Sequence, residues 1–322
     1  MEGRLRVERF GEGAVVLDRE TGRFFRASPI AARIAEDLTR GLGPPEIAAQ
    51  LAARFAMSEA RVEADVRALV TALDRPVVRA AANEVRFRRA YEGHCMSLSG
   101  RDVAVLSPDG RVLRRLDPER DVDEARARAV VRLALPHALT LQGVTVLHAS
   151  AVHVAGAVHA FSGPSGAGKT TLAAALVTAG AEEESEDLVL LVPGTSSPTV
   201  ACGAERWLRA WIERSGLDAA LAVPEVRVLA AWPVRAPLAR VAFLEGRRDD
   251  PSFAETRLDA VDVCTRLLAN AFAETEDPDV FDACLRATAS IAREVTGIAL
   301  VVPEGLARLV GAAARYSAST TS

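Results

Sequence analysis

The pattern of apolar and polar positions over the first 75 residues predicts a small unit of strands followed by helices. Two short strand-like runs, Ala14–Leu17 and Arg23–Arg26, flank the turn-forming stretch Asp18–Gly22 and predict a β-hairpin. Ser28 and Pro29 then fit the N-cap and the first position of a helix. Apolar residues recur at helical spacing in three successive segments, over residues 28–40, 44–55 and 58–73. This order of elements is typical of a small winged-helix-like α+β domain over residues 1–75.

The remainder of the chain predicts a larger unit in which strands and helices alternate. Residues 76–84 lack periodicity, and we interpret them as a linker to a second domain over residues 85–322. Strands are predicted over residues 103–106, 112–116, 144–154, 158–161, 188–191, 240–245 and 297–302. Helices are predicted over residues 121–141, 258–272 and 277–295, and residues 317–322 are expected to form a frayed tail. Pro136 is expected to kink or split the first of these helices. The mixture predicts an α/β fold.

One stretch of this second unit, from Val158 to Val177, combines an apolar strand, a glycine-rich loop and an alanine-rich helical run. The loop Gly163–Thr170 reads G-x-x-x-x-G-K-T, the phosphate-binding motif in its required strand–loop–helix context. Its glycines allow successive backbone N–H groups to face a phosphate, and the helix N-terminus adds partial positive charge. Lys169 would reach the β- and γ-phosphates, and the Thr170 hydroxyl would bind Mg²⁺. The predicted nucleotide-binding residues are Gly163, Pro164, Ser165, Gly166, Ala167, Gly168, Lys169, Thr170 and Thr171.

The composition favours a ligand-binding loop over a glycine-rich turn that matches the motif by chance. Lys169 is the only lysine among 39 basic residues, and all the others are arginines. A compact ammonium group differs from a planar guanidinium in its geometry and hydration. A chain that keeps a single lysine, and keeps it at this position of the motif, is therefore expected to bind a nucleotide.

The charge distribution argues against nucleic acid as a partner. The whole chain carries a formal net charge of −4, and residues 1–75 contain 12 arginines against 12 acidic residues. The third predicted helix, which would enter the DNA groove in a winged-helix protein, carries Glu59, Glu63 and Asp65. A helix that enters a DNA groove normally has a basic face. We therefore expect no nucleic acid partner.

Cysteine usage and hydropathy indicate a cytoplasmic protein. The four cysteines form no C-x-x-C pair, as expected of free thiols in a reducing compartment, and they are Cys95, Cys202, Cys264 and Cys284. The N-terminal stretch MEGRLRVERF has no apolar signal-peptide core, and no run approaches 18 apolar residues. We therefore expect neither secretion nor membrane insertion.

The first unit resembles the PqqD-like family, the peptide-recognition elements of ribosomal peptide natural-product pathways. The resemblance lies in the order of elements and in the phrases VVLDRETGRFFRASPIAARIAEDL and PPEIAAQLAARFAMSEARVEADVRALVTAL. In that family a leader peptide adds as a strand to the edge of the hairpin and packs against the third helix. The resemblance implies a leader-peptide surface made of Arg23, Phe24, Phe25 and Arg26, with Val62 and Val66 on the third helix. Core packing of Phe24 and the valines is the alternative.

The second unit resembles the HPr kinase/phosphorylase group, phosphate-loop enzymes on a fold related to phosphoenolpyruvate carboxykinase. The resemblance lies in LHASAV, GPSGAGKT and SED-LVLL and is closest over residues 147–191. His148 stands 15 residues before Gly163, and Glu186 stands 17 residues after Lys169, at the spacings of the family's histidine and acidic pair. The first acidic residue departs from the family's pattern, because it is Glu186 rather than aspartate.

That resemblance implies catalytic roles for residues around the phosphate loop. Asp187 would bind Mg²⁺ together with Thr170. Either Glu186 or Asp187 would take the proton of the acceptor hydroxyl, and His148 would orient that carboxylate. Lys169 would stabilise the phosphoryl group during its transfer.

Together the two resemblances imply an ATP-dependent kinase that phosphorylates a Ser or Thr hydroxyl of a ribosomally made precursor peptide. The winged-helix-like domain would hold the leader, while an α/β phosphate-loop kinase core, with ATP and Mg²⁺ as cofactors, modifies the rest of the peptide. Two alternatives stay open: a nucleotide-gated peptide chaperone without kinase activity, and a small-molecule hydroxyl kinase whose first domain is regulatory. Assembly into a homo-oligomer is also left open.

Overall fold

A computed structural model shows a mixed α/β fold, as the sequence predicts. It describes residues 3–11, 13–56, 58–73, 85–116, 124–185, 188–193, 198–201, 225–227, 235–271 and 277–320. These residues form 16 strands in three sheets, together with eight helices. Within this described part, no helix combines the length and the apolar character needed to cross a membrane.

Strands and helices are numbered in chain order. The strands are β1 (Leu5–Phe10), β2 (Gly13–Asp18), β3 (Arg23–Ala27), β4 (Val85–Ala90), β5 (Gly93–Leu98), β6 (Arg101–Leu106), β7 (Val112–Arg115), β8 (Thr145–Val154), β9 (Ala157–Ser162), β10 (Glu182–Ser185), β11 (Leu188–Val192), β12 (Thr199–Ala201), β13 (Glu225–Arg227), β14 (Arg235–Arg248), β15 (Ala254–Arg257) and β16 (Thr296–Pro303). The helices are α1 (Pro29–Thr39), α2 (Pro44–Phe55), α3 (Glu59–Leu73), α4 (Glu124–Leu141), α5 (Lys169–Thr178), α6 (Ala260–Asn270), α7 (Pro278–Glu294) and α8 (Leu306–Thr320).

The N-terminal unit is an antiparallel sheet in the order β1-β2-β3, covered on one face by α1, α2 and α3. Helix α1 begins at Pro29 because the Ser28 hydroxyl accepts a hydrogen bond from the Ala31 N–H group, which has no partner within the helix. Ala14 and Val16 of β2 face these helices in a common core. The predicted hairpin and three helices are confirmed, whereas strand β1 was not predicted.

A second sheet, in the order β13-β7-β6-β5-β4, packs against the long helix α4. The fully buried side chains of Phe87 and Leu106 contact this helix in a core that includes Leu139. Helix α4 continues through Pro136. The helix is therefore not split at Pro136, and a kink there stays a prediction.

The third sheet has eight strands and forms the centre of the molecule. Its order is β10-β8-β11-β12-β14-β16-β15, and β9 pairs with both β8 and β14. Strand β14 runs parallel to β9 and to β16. Because neighbouring parallel strands end at the same edge of a sheet, the chain that follows β9 and the end of β14 lie side by side. Ligands of α/β proteins bind at this kind of edge.

Helices cover both faces of the central sheet. Helices α5 and α8 pack on one face, in a core that includes Phe161 and Leu172. Helices α6 and α7 pack on the other face, in a core that includes Leu147 and Leu285. The predicted strands and helices around this core are confirmed.

The helix pair α6–α7 is shared by two sheets. Val15 and Leu17 of β2 lie in the same apolar cluster as Val261 of α6 and Phe281 of α7. Because side chains alternate along a strand, β2 buries one face against its own helices and the other against α6–α7. The N-terminal unit is therefore docked on the second unit through a common core.

The structure corrects and extends the predicted elements near the ends of the second unit. Strand β10 was not predicted, and it is held by antiparallel pairing with β8 rather than by apolar residues of its own. Helix α8 was also missed, and because it continues to Thr320, the expected frayed tail from residue 317 is wrong. Three cysteines are confirmed as buried free thiols, and they are Cys95, Cys264 and Cys284. The predicted linker over residues 76–84, the predicted helix start at residues 121–123 and Cys202 lie outside the described residues.

Candidate functional site

The loop between β9 and α5 presents backbone N–H groups at the start of a helix. Gly166 and Gly168 have φ angles of +79° and +96°, in the left-handed region that favours glycine. Gly168 is the N-cap of α5, and it provides no side-chain hydrogen bond to the helix. Among the described residues, no side chain therefore caps the first N–H groups of α5, and the helix dipole adds partial positive charge at the same point. This arrangement suits the binding of an anion.

The side chain of Lys169 folds back against the glycine-rich loop that precedes it in the chain. Its side chain is only 6% exposed, and Nζ donates hydrogen bonds of 2.9 Å to the Gly163 carbonyl and 3.1 Å to the Pro164 carbonyl. Two backbone carbonyls of the loop thus accept hydrogen bonds from the ammonium group. A phosphate oxygen would form a stronger, charge-assisted hydrogen bond with the same group.

The outer part of the loop and the first turn of α5 are open to solvent. Thr170 and Thr171 are exposed, and so are Pro164, Ser165 and Gly166. The Thr170 hydroxyl follows Lys169 directly, which is the position of the Mg²⁺ ligand in the phosphate-loop motif. The other predicted metal ligand, Asp187, lies outside the described residues.

His148 lies beside the root of the phosphate loop. Oγ of Ser162, the last residue of β9, donates a hydrogen bond of 3.4 Å to the His148 carbonyl. On the opposite edge of β8, His148 pairs with Leu188, the first residue of β11. Glu186 and Asp187 immediately precede Leu188 but lie outside the described residues. The sheet therefore brings His148 and the residue after the acidic pair to the end of the loop strand, while a contact between His148 and that pair stays a prediction.

One residue near the loop was missed by the sequence reasoning. Strand β14 pairs with β9 as far as Phe243 and Ser162 and then continues past the phosphate loop. Nη2 of Arg247 lies 3.2 Å from the position that a Cβ on Gly168 would occupy. No local motif marks this arginine, since its approach to the loop depends on the pairing of strands that are far apart in the chain.

The predicted leader-peptide surface lies at the edge of the N-terminal sheet. Within the described residues, β3 pairs with β2 along one edge and has no strand on the other. Arg23 and Arg26 are exposed, whereas Phe24 and Phe25 are half-buried. Phe24 packs against the core around α6–α7, and Phe25 packs against the core of the N-terminal unit. An unpaired edge of this kind is a template for an added strand.

Two residues of the predicted surface are corrected by the structure. Val62 is 4% exposed and Val66 is fully buried, and both belong to the core of the N-terminal unit. They lie on the apolar stripe by which α3 packs against its neighbours, so the core alternative holds for them. Arg26 has partners within the chain, since its guanidinium lies 2.8 Å from Asp259 and 2.5 Å from Asp262 at the start of α6.

Comparisons with known proteins bear on the N-terminal unit. Residues 13–75 match the family described as Coenzyme PQQ synthesis protein D (PqqD), so this segment is PqqD-like. The match spans β2, β3 and α1 to α3, and the phosphate loop lies outside it. Among solved structures, a chain described as "TbiB1 in Complex with the TbiA(beta) Leader Peptide" is 27% identical, with a TM-score of 0.21, over 23% of this chain and 87% of that chain. No curated protein matches the chain.

Proposed function

We propose that this protein is an ATP-dependent kinase that phosphorylates a Ser or Thr hydroxyl of a ribosomally synthesised precursor peptide. The observation that carries the proposal is the buried Lys169, held inside a glycine-rich loop at the uncapped start of α5. The same chain contains a PqqD-like segment whose strand β3, within the described residues, pairs with another strand along one edge only. A site suited to phosphate and a site suited to a peptide strand are thus combined in one molecule.

The phosphate loop supplies the charges that phosphoryl transfer requires. Lys169 and the N–H groups at the start of α5 would hold the β- and γ-phosphates. Catalysis of this reaction depends mainly on positioning and electrostatic stabilisation, so a loop with its lysine already inside is well suited to it. The exposed Thr170 hydroxyl fits a Mg²⁺ ligand, and Asp187 is the proposed second one. Bound Mg²⁺ would neutralise part of the phosphate charge.

The acceptor hydroxyl would react at the edge of the sheet where His148 lies. In the proposed reaction, the hydroxyl oxygen forms a bond to the γ-phosphorus while the bond to the bridging oxygen of ADP breaks. Glu186 or Asp187 takes the hydroxyl proton, and His148 orients that carboxylate. A general base must come within about 2.6–3.2 Å of the oxygen that loses its proton. The pairing of His148 with Leu188 supports this arrangement, because it brings the chain just after the acidic pair to the loop strand.

The leader peptide would add as a fourth strand to β3. Backbone hydrogen bonds would give affinity, and the half-buried Phe24 and Phe25 would help to set the register of the added strand. The common core around α6–α7 fixes the position of this edge relative to the phosphate loop. A leader held there would raise the effective concentration of the acceptor residue at the loop.

A nucleotide-gated peptide chaperone is the second candidate, and Glu186 favours it. Compared with aspartate, the additional methylene can displace a carboxylate by about 1 Å, and such a shift can cost ~10²-fold in rate. The chaperone would bind nucleotide and peptide without transferring a phosphoryl group. A small-molecule hydroxyl kinase is the third candidate, in which the PqqD-like segment has only a regulatory role.

ATP binding by the full-length protein tests the nucleotide site. We expect Lys169→Ala to lose measurable binding of Mg²⁺–ATP in calorimetry, while its circular dichroism and its affinity for the leader peptide stay at the wild-type level. ATP affinity that is undiminished in Lys169→Ala would exclude this loop as the nucleotide site.

Mass spectrometry of candidate precursor peptides, chosen from short reading frames next to the gene, separates the peptide kinase from the other two candidates. The kinase adds one phosphoryl group to the intact peptide and fails to do so when the leader is removed. A protein that binds both ligands and leaves the peptide mass unchanged is not a peptide kinase, and the absence of ATP turnover then distinguishes the chaperone from the small-molecule kinase. Equal phosphorylation with and without the leader would contradict the role proposed for β3.

A further inference from the structure

Strand β14 changes register beside the phosphate loop. Leu244 pairs with Leu300 of β16, but the next pair is Gly246 with Val301. Glu245 is therefore an extra residue on β14, opposite no residue of its own. A bulge of this kind shifts the alternation of side chains by one position and often re-aims a side chain near a functional site.

The extra residue places Arg247 on the face of the sheet that carries the phosphate-loop helix. Arg247 pairs with Val302, and both Val302 and Leu244 lie in the core beneath α5 and α8. In an unbroken strand, residues three positions apart face opposite sides of the sheet. Without the bulge, Leu244 would face α5 while Arg247 would face the α6–α7 side, away from the loop.

Gly168 provides the space for the guanidinium group. Nη2 of Arg247 lies 3.2 Å from the position of a Cβ on Gly168, so even an alanine there would crowd the arginine. Gly168 also has a φ angle of +96°, which a residue with a side chain rarely adopts. The arginine thus lies over the point where the loop becomes helix α5, next to Lys169.

The charged residues around Arg247 form ion pairs that do not include it. The neighbouring ion pairs are Arg248 with Asp250, Arg308 with Asp249, and Arg266 with Glu245. Within the described part of the chain, Arg247 itself forms no ion pair or hydrogen bond, and its side chain is exposed. An arginine that has no carboxylate partner among the described residues and lies against the start of α5 has its full charge available for an anionic ligand.

We propose that Arg247 binds the terminal phosphates of the nucleotide and stabilises the charge that develops on the transferred phosphoryl group. This inference rests on the proposed function. The planar guanidinium can donate two parallel hydrogen bonds to phosphate oxygens, which the Lys169 ammonium cannot do. The two cations come from different elements, one from the loop helix and one from the bulged strand, and they approach the same turn of the loop.

Calorimetric titrations of the full-length protein with ATP, ADP and AMP, each with Mg²⁺, test the role of Arg247. A hydrogen bond to a charged group predicts that Arg247→Ala weakens ATP and ADP binding ~10–100-fold and leaves AMP binding within about twofold of wild type. Arg247→Lys should give an intermediate affinity, since it keeps the charge but loses the fork. Arg248→Ala is the matched control, because it removes the adjacent arginine and should bind ATP as the wild type does.

The outcomes distinguish a failure of this inference from a failure of the nucleotide site. Wild-type ATP affinity in Arg247→Ala, combined with loss of ATP in Lys169→Ala, would refute the role of Arg247 and leave the site in place. An equal loss of ATP and AMP binding would also refute it, because the contact would not be with the terminal phosphates. Wild-type ATP affinity in both variants, or no ATP binding by the wild type, would overturn the site and this inference together.

Discussion

The ring of Phe281 packs directly on the α-carbon of Gly22. A Cβ added to Gly22 would lie 2.2 Å from Cζ of Phe281, and the φ angle of Gly22 is +69°. The turn between β2 and β3 is therefore seated on helix α7. Glycine is required at this position both by the backbone conformation and by the lack of space for a side chain.

Replacement of Gly22 by alanine is expected to destabilise the protein by ~2–5 kcal/mol, as the sum of left-handed backbone strain and overpacking against Phe281. Gly100→Ala is the matched control, because its φ angle is +77° and a Cβ there would meet no atom within 4 Å. The control should be destabilised only by backbone strain, which costs ~1–2 kcal/mol. Urea unfolding of both variants measures the difference. Equal destabilisation would show that the contact with Phe281 adds nothing.

The ion pairs of Arg26 are expected to contribute little to the docking of the N-terminal unit. The side chains of Arg26 and Asp259 are both 52% exposed, and exposed pairs typically stabilise by less than ~1 kcal/mol. Arg26→Ala should therefore lower the free energy of unfolding by less than this amount, and the effect should shrink as salt is added. A double-mutant cycle with Asp262→Ala measures the coupling directly. A coupling above ~2 kcal/mol would contradict this estimate and make Arg26 a main docking contact.

The two acidic residues before β11 are expected to respond differently when each is replaced by its amide. One replacement should affect mainly the rate of phosphorylation, and the other should also affect Mg²⁺ and nucleotide binding. Glu186→Gln should slow phosphorylation ~10²–10⁴-fold with little change in ATP affinity, as expected for loss of a general base. Asp187→Asn should lose turnover and weaken nucleotide binding only as far as it weakens Mg²⁺ binding. Single-turnover rates and calorimetry on the same samples give both quantities. Unchanged phosphorylation by Glu186→Gln would move the base role to Asp187 or to substrate-assisted transfer.

A buried histidine is expected to make stability depend on pH. Burial, with a smaller effect from the Arg240 charge, lowers the pKa of His159 from 6.5 to about 4, and its Nδ1 hydrogen bonds with the Tyr316 hydroxyl at 2.8 Å. In the unfolded chain this histidine takes up a proton below about pH 6.5, whereas the folded protein resists protonation until about pH 4. Stability is therefore fully present above pH 6.5 and falls between these values, by on the order of 3 kcal/mol from this group.

Urea unfolding between pH 7 and pH 4.5 checks this expectation. The loss of stability over this interval should be smaller in His159→Gln than in the wild type. Tyr316→Phe should keep the wild-type slope, because burial rather than the hydrogen bond is the main cause of the shift. A wild-type slope in His159→Gln would mean that other groups account for the acid sensitivity.

Much of the fold follows from local signals in the sequence. Ser28 marks the start of α1 because its hydroxyl caps the helix, and the apolar runs of β8 and β9 identify strands that are buried in the central sheet. Strand β10 has the sequence EEES and carries no apolar alternation, so only its pairing with β8 makes it a strand. Elements whose stability comes from a partner far away in the chain could not be predicted in this way.

The candidate site likewise contains residues that a local motif predicts and residues that only long-range strand pairing places. The glycine-rich turn between β9 and α5 could be predicted because all its residues are contiguous and the motif encodes its own backbone geometry. Arg247 could not, because its position depends on an extra residue at Glu245 that is defined only by pairing with β16. For the valines of α3, the sequence predicts burial but not the role of the buried surface. The apolar stripe predicts that Val62 and Val66 are buried somewhere, but it does not tell a binding surface from a core.

The apolar cluster that joins β2 to α6 and α7 makes the PqqD-like unit difficult to exchange. A chain cut near residue 75 would expose Phe10, Val15 and Leu17 on one half and Phe281 on the other. Exposing each of these side chains to water costs ~1.5–3 kcal/mol of stability. Grafting a foreign module near residue 75 would therefore yield two parts with mismatched apolar surfaces. On the proposed function, new peptide specificity is expected to arise by point substitutions along β3, and hybrid proteins built for other precursors must carry the matching face of α6 and α7 with them.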